Sequence, residues 1–243
     1  MTARDLTDLS DIREPIAEAE RWLTAAATEH APAAFASSFG AEDMVLLDMI
    51  VRLDLGIQAF TIDTGRLHEE THRLIQRARD HYGRNIAVYA PDTAALESWV
   101  RENGPNAFYD GVELRQGCCA IRKVEPLRRA LEGKGCWITG QRRQQAATRK
   151  VLEHREWDDA NGLEKFNPLA GWSTEAVWLY IRRHNVPYNA LHDGGFASIG
   201  CAPCTRAITV GEDIRAGRWW WEDADTKECG LHVAAPRIPG RAA

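Results

Sequence analysis

The chain reads as an α/β protein built on a mostly parallel, twisted sheet with helices on both faces. Short apolar runs of strand length recur at residues 33–37, 57–62, 85–89 and 136–139. Between them lie amphipathic stretches of ten or more residues, long enough to cross over and return the chain parallel to itself. In such sheets ligands gather beyond the carboxyl ends of the strands, so the turns that close these runs are where chemistry is expected.

Taken in order, residues 1–30 read as an amphipathic helix, with Ile12, Ile16, Ala19, Trp22 and Leu23 near helical spacing. The first strand, 33–37, runs into Ser37-Ser38-Phe39-Gly40-Ala41-Glu42-Asp43 and an apolar helix over 44–50. A strand, a small-residue turn and a helix start together offer free backbone N–H groups and a positive helix end to an anion. Small residues at such a turn are as often simple turn chemistry. The second strand, 57–62, ends at Asp63-Thr64-Gly65, which parallel topology places beside the first turn. A helix over 69–81, a third strand over 85–89 and a helix over 93–102 follow. A looser segment then leads to a helix that carries Cys118-Cys119 and continues through Pro126 to residue 131. The fourth strand, 136–139, ends in Gly140-Gln141-Arg142-Arg143-Gln144-Gln145, with Arg149 beyond. Arginines at a strand end favour phosphate or sulfate contact over solvated surface charge. Cys136, inside that strand, reads as a small core residue. Residues 166–169, a helix over 172–184 and the 186–189 connection complete the path to the second cysteine pair, Cys201-Ala202-Pro203-Cys204.

Four of the six cysteines thus fall in two tight pairs, one vicinal and one CxxC. Four converging thiolates suit an iron–sulfur cluster or a structural zinc ion. A vicinal pair makes a poor zinc knuckle because adjacent side chains diverge, whereas a cluster accepts neighbouring sulfurs on different irons, so the spacing favours [4Fe–4S] ligated by Cys118, Cys119, Cys201 and Cys204. A vicinal disulfide or unrelated buried thiols is the metal-free alternative. Arg122 and Lys123, directly after the first pair, would stabilise an anionic cluster.

The end of the chain departs from the rest. Arg215 and Arg218 precede Trp219-Trp220-Trp221, a run more often used for packing than for recognition. Residues 222–227 are polar and read as mobile, and Glu228-Cys229-Gly230-Leu231-His232 follows. A thiol there, three residues from His232, is placed to swing over a bound ligand as a nucleophile; a free structural cysteine fits equally well.

With 243 residues, 44% of them apolar, the chain is one large domain or a domain with an appendage. A net charge of −5 argues against general nucleic-acid binding, while the local arginines point to a small anionic ligand. No run approaches a membrane span, and the N-terminus carries no basic region followed by an apolar stretch; a cytoplasmic enzyme without membrane attachment is the expectation. Six cysteines in that setting read as metal or redox thiols.

Together these motifs resemble the assimilatory adenylyl-sulfate reductases, relatives of the 3′-phosphoadenylyl-sulfate reductases. The resemblance runs from about Phe35 to His232 and rests on the Ser37–Asp43 and Asp63-Thr64-Gly65 turns, Cys118-Cys119-x-x-Arg122-Lys123-x-x-Pro126-Leu127, Thr139-Gly140-x-Arg142-Arg143-x-Gln145, Gly200-Cys201-x-x-Cys204-Thr205, Gly211-Glu212-Asp213-x-Arg215-x-Gly217-Arg218 and Glu228-Cys229-Gly230-Leu231-His232. Ala146, where relatives often carry serine, is a departure. The resemblance implies a fold like the adenine-nucleotide α-hydrolases, residues 1–210 forming the nucleotide-binding domain with the iron–sulfur site and 211–243 a flexible catalytic tail. It implies adenosine near Ser37, Ser38, Phe39, Gly40, Asp43, Asp63, Thr64 and Gly65, with Gly140, Arg142 and Arg143 at the same edge. The phosphosulfate would meet Lys123, Arg149, Arg215, Arg218 and His232. Cys229 would attack the sulfate sulfur, and thioredoxin would release sulfite from the S-sulfocysteine, in sulfate assimilation toward cysteine. A homo-oligomer is also implied. A reductase for the 3′-phosphorylated substrate, and a metal-stabilised nucleotide-binding module without chemistry, are the competing readings. The ATP-cleaving relatives that make adenylyl sulfate have no use for Cys229 or the cysteine pairs.

Overall fold

The computed structural model describes residues 12–145 and 151–222. Among the described residues six strands form one sheet in the order β3-β2-β1-β4-β6-β5, with β1 Ala33–Ala36, β2 Gln58–Ile62, β3 Ala87–Tyr89, β4 Cys136–Ile138, β5 Arg155–Asp158 and β6 Leu163–Phe166. All neighbours are parallel except β5 on β6. The four strands expected from sequence, β1 to β4, are parallel, and β6 extends the parallel part beside β4. The β5–β6 hairpin is an addition to that expectation; it turns through Gly162, at φ 68°, while Asp158 accepts hydrogen bonds from the Ala160 and Asn161 amides.

Strand alternation sorts the core into two layers. Ala33, Phe35, Cys136, Ile138 and Phe166 face one side, where they meet α1 (Arg13–Glu29), α2 (Ala41–Arg52), α3 (Glu69–Tyr82) and α7 (Thr174–His184). Ala34, Phe60, Trp137 and Leu163 face the other, against Leu127, Ala130 and Leu131 of α6 (Glu125–Leu131). Helix α2 is buried along most of its length, which matches an apolar run over 44–50 interrupted only by Asp48. Helix α7 starts at Thr174 because Ser173 caps it, accepting from the Ala176 amide at 3.1 Å. Helix α4 (Thr93–Asn103) is capped in the same way by Asp92.

The cysteine-bearing helix is continuous but uneven. Helix α5 (Val112–Cys119) passes into a π-helical turn at Ala120–Val124 and then into α6. Pro126 explains the widening: it has no N–H to offer the carbonyl of Arg122, and its ring would press on that carbonyl in a regular helix. The π turn falls on Arg122 and Lys123, the two cations that follow the cysteine pair.

No helix among the described residues is long and apolar enough to cross a membrane.

Candidate active site

The sheet reverses its winding between β1 and β4. The chain builds outward from β1 through β2 to β3 on one side, then returns to lay β4 on the other side of β1, with β5 at the far edge and β6 inserted between β4 and β5. A cavity of about 240 Å³ opens beyond the carboxyl ends of β1, β2 and β4, where such a switch point leaves a crevice.

Its floor is the turn after β1. Phe39, at φ 60°, holds the left-handed conformation uncommon for a non-glycine residue, and its ring is fully buried in the core. The turn is closed by Asp43, whose Oδ2 accepts the Ser38 amide at 2.6 Å and the Ser38 hydroxyl at 2.7 Å. Burial pushes the Asp43 carboxyl up to about 6 against the opposing pull of those bonds. Gly140 must lie close by: a Cβ there would come within 2.3 Å of Asp43 Oδ1. Ser37, Ser38, Gly40, Asp43, Thr64 and Gly140 all line the cavity.

The cations come from elsewhere. Lys123 reaches the cavity from the π turn, and Arg215 and Arg218 from the segment after the CxxC pair. Arg218 is nearly buried, with its Nη1 3.4 Å from Ser198 Oγ and from the Ile199 carbonyl, and its guanidinium over the Trp219 ring at 4.6 Å. Arg142 and Arg143 do not join them, contrary to the strand-end expectation. Arg142 is buried beneath the site, bonded through Nε and Nη2 to Glu42 Oε1 at 2.9 and 2.7 Å and through Nη1 to the Trp172 carbonyl. Its charge is spent on fixing the start of α2 against α7. Arg143 donates to the Leu152 carbonyl at 2.7 Å. Asp63 and Gly65 also stand back from the cavity wall. Asp63 bonds the Gly65 amide and His72, and shapes the turn that presents Thr64.

Next to this cavity lies a second, small chamber lined by Cys118, Cys119, Cys201 and Cys204 with Arg66, Arg115, Arg122 and Trp219. Lys123 and Cys201 line both spaces, so the cysteine chamber and the larger cavity share a wall. Thr64 Oγ1 lies 3.3 Å from Cys201 Sγ, and Arg122 Nη1 donates to the Thr64 carbonyl at 2.6 Å, which ties the turn after β2 to the chamber. Cys118 is a free thiol, which removes the vicinal-disulfide reading. Burial pushes the Cys118 thiol up, with Arg122 opposing it, and pushes Cys204 up to about 11. Thiols so desolvated are poor nucleophiles and suit a ligand or structural role. Cys136 belongs with them, buried in β4 and pushed up to about 11. Among the described residues, no group of three or more His, Cys, Asp or Glu side chains is arranged to hold a metal ion.

The described part of the expected tail, residues 211–222, packs onto this chamber. The Arg206 amide donates to the Gly217 carbonyl, and the Trp219 amide to that of Cys204. Trp219 is buried between Arg115, at 4.5 Å, and Arg218, at 4.6 Å, which bears out packing as its role. Glu222 ends the described segment in a buried ion pair with Arg115 at 2.6 Å. Arg149, Cys229 and His232 lie outside the described residues. Sequence reasoning missed Arg115, Gln141 and His192; the last two line the cavity but belong to no motif that marks them.

Residues 32–207 match the phosphoadenosine phosphosulfate reductase domain. Over 243 aligned residues the chain is 55% identical to the adenosine 5′-phosphosulfate reductase of Allochromatium vinosum, covering 98% of this chain and 95% of that protein. The chain belongs to the adenylyl-sulfate/phosphoadenylyl-sulfate reductase family. A second member, from Burkholderia cepacia and of the same name, is 54% identical over 84% of this chain and 82% of its own length. Among solved structures, the phosphoadenylyl-sulfate reductase of Candida auris, in a phosphate complex, superposes with a TM-score of 0.67 at 26% identity, over 82% of this chain and 96% of that one. Yeast FAD synthetase shares the fold, with a TM-score of 0.59 at 13% identity over 85% and 70% of the two chains. The family match takes in the Ser37–Asp43 turn and both cysteine pairs, and stops short of Arg215 and Arg218.

Proposed function

We propose that the protein reduces adenylyl sulfate to sulfite and AMP, as a cytoplasmic enzyme of sulfate assimilation. The observation that carries this reading is the shared wall: one cavity at the switch point, edged by Lys123, Arg215 and Arg218, lies against a four-cysteine chamber. The names borne by relatives more than half identical to this chain support adenylyl sulfate as the substrate. The looser likeness to a phosphoadenylyl-sulfate reductase supports the 3′-phosphorylated compound as the second reading.

In this scheme the sulfate and phosphate oxygens meet Lys123, Arg149, Arg215, Arg218 and His232, which offset the charge that repels an incoming thiolate. The Cys229 thiolate attacks the sulfate sulfur. The bond from sulfur to the bridging oxygen breaks, AMP leaves with that electron pair, and an S-sulfocysteine remains. A thiolate of thioredoxin then attacks Cys229 Sγ, sulfite departs with the S–S electron pair, and the second thioredoxin thiolate attacks the mixed disulfide, closing thioredoxin's own disulfide and releasing Cys229 as a thiolate. Both electrons come from thiols. Burial raises the Cys118, Cys136 and Cys204 thiols, which makes them poor nucleophiles and supports Cys229 in that role.

Cys118, Cys119, Cys201 and Cys204 would hold a [4Fe–4S] cluster, the donor set such a cluster uses. The four thiols line one chamber, as ligands to such a group would. Arg66, Arg115, Arg122 and Lys123 around the thiols suit a net anionic group. When bound, it would supply a fixed charge beside the cavity. The residues themselves do the positioning: Arg122 holds the Thr64 turn, and Lys123 lines the cavity where the ligand would lie. The test is product analysis with adenylyl sulfate and reduced thioredoxin. Stoichiometric sulfite and AMP are expected, at a kcat/KM far above that for the 3′-phosphorylated substrate. Binding without product would leave a nucleotide-binding module, and preference for the 3′-phosphorylated compound would favour the second reading.

A further inference from the structure

Two residues that line the cavity each carry a buried acceptor to which no described group donates. Gln141, directly beyond β4, is 5% exposed, and its Oε1 has no hydrogen-bond partner. His192 closes a short 3-10 turn, Ala190–His192, which Asn189 anchors by accepting the Leu191 amide and donating to Thr71 Oγ1. The Nδ1 of His192 lies 2.7 Å from the Phe196 carbonyl. A carbonyl only accepts, so Nδ1 carries the proton. Burial holds this imidazole below its ordinary range, with the Phe196 bond, Glu42 and Asp193 opposing, so the neutral form is favoured and Nε2 presents a bare lone pair. That Nε2 is shielded from solvent and bonded to no described group.

Unmatched buried acceptors cost free energy unless a ligand supplies the donors. A nucleotide offers them on one half only. Phosphate and sulfate oxygens accept, while the 6-amino group and the ribose hydroxyls of adenosine donate. The cations Lys123, Arg215 and Arg218 therefore match one half of the ligand and these two acceptors the other. We propose that Gln141 Oε1 and His192 Nε2 are specificity-determining groups that select the nucleoside, each accepting a hydrogen bond from the 6-amino group or a ribose hydroxyl. This rests on the reading of the cavity as an adenylyl-sulfate site.

The test is calorimetric titration with AMP. Gln141→Leu and His192→Phe keep shape and remove the acceptor, and each is expected to weaken AMP roughly tenfold, the loss of one buried hydrogen bond. Inorganic pyrophosphate, which probes only the anionic half, is expected to bind as in the wild type. His192→Gln, whose Oε1 reaches toward the Nε2 position, is expected to recover most of the loss. Inosine monophosphate, 2′-deoxy-AMP and 3′-deoxy-AMP identify the donor, because each variant is insensitive to removal of the group it served. Variants that bind AMP within about twofold of the wild type would overturn the proposal, since one lost bond is worth more than that. A wild type that binds no AMP would instead remove the nucleotide reading beneath it. Should His192→Phe fail to fold, ¹⁵N spectra of the wild-type histidines decide: the unprotonated Nε2 resonance of His192 is expected to move on addition of AMP, and a stationary resonance counts against the proposal.

Discussion

The guanidinium of Arg218 rests on the backbone of Gly200, where a Cβ would come within 2.6 Å of its Cζ and Nη2. The Trp219 ring bounds it on another side, so a charged side chain is held in place by one missing methyl group and one aromatic ring. Gly200→Ala is therefore expected to displace Arg218 and to weaken AMP binding about tenfold, as for a lost charge-assisted contact. Calorimetry with folded variant checks this; an unchanged Kd would remove Arg218 from the ligand site.

Asp43 gives the site a pH signature. Its carboxyl is raised from 3.8 to about 6 by burial, so folding favours its protonated form. Its favourable contribution is complete below about 3.8 and is lost as the pH climbs through about 6. Above that the buried carboxylate costs on the order of 3 kcal/mol relative to the protonated form. Asp43→Asn cannot ionise, so its stability relative to wild type is expected to improve between pH 4 and pH 7. Urea unfolding at the two pH values measures this, and parallel changes in both proteins would refute the assignment.

The Arg115–Glu222 pair is almost wholly buried, with 1% and 4% of the two side chains exposed. Glu222→Gln leaves the Arg115 charge without its carboxylate, and a loss of about 3–5 kcal/mol in unfolding free energy is expected. Glu222 also lies seven residues before Cys229 in the chain, so turnover is expected to fall more than AMP affinity does. Equal losses in both would argue that the pair only stabilises the fold.

Much of this architecture is legible in the sequence because strands and helices alternate with unmixed periodicity. The apolar runs at β1, β2 and β4 and the turns that end them read directly, as do the cysteine pairs. The β5–β6 hairpin does not, because Arg155, Glu156, Glu164 and Lys165 break its apolar signal. Those charges pair across the strands, Arg155 with Glu164 and Lys165 with Glu156 at 2.9 Å; Asn161-Gly162 was the available turn signal. Arg142 misled for a related reason: strand-end position predicts a ligand contact, but a carboxylate one helix away, at Glu42, captures the guanidinium. His192 was invisible because only tertiary packing, with its Nδ1 against the Phe196 carbonyl, brings its ring to the cavity wall.

The cysteine chamber predicts a composition. Protein purified without oxygen is expected to be brown, with about four irons and four sulfides per chain. Cys204→Ser is expected to lose the colour while Cys136→Ser, altered in the core of β4, keeps it. Colour lost equally in both, or zinc in place of iron, would contradict the cluster assignment.

The central claim is a covalent one and can be read without turnover. Protein incubated with adenylyl sulfate in the absence of reductant, digested and examined by mass spectrometry, should carry one added SO₃ unit on the peptide containing Cys229. Addition of reduced thioredoxin should release that unit as sulfite, and Cys229→Ser should show no adduct while still binding AMP. An unmodified Cys229 in protein that nevertheless forms sulfite and AMP, or the adduct on another cysteine, would contradict the account.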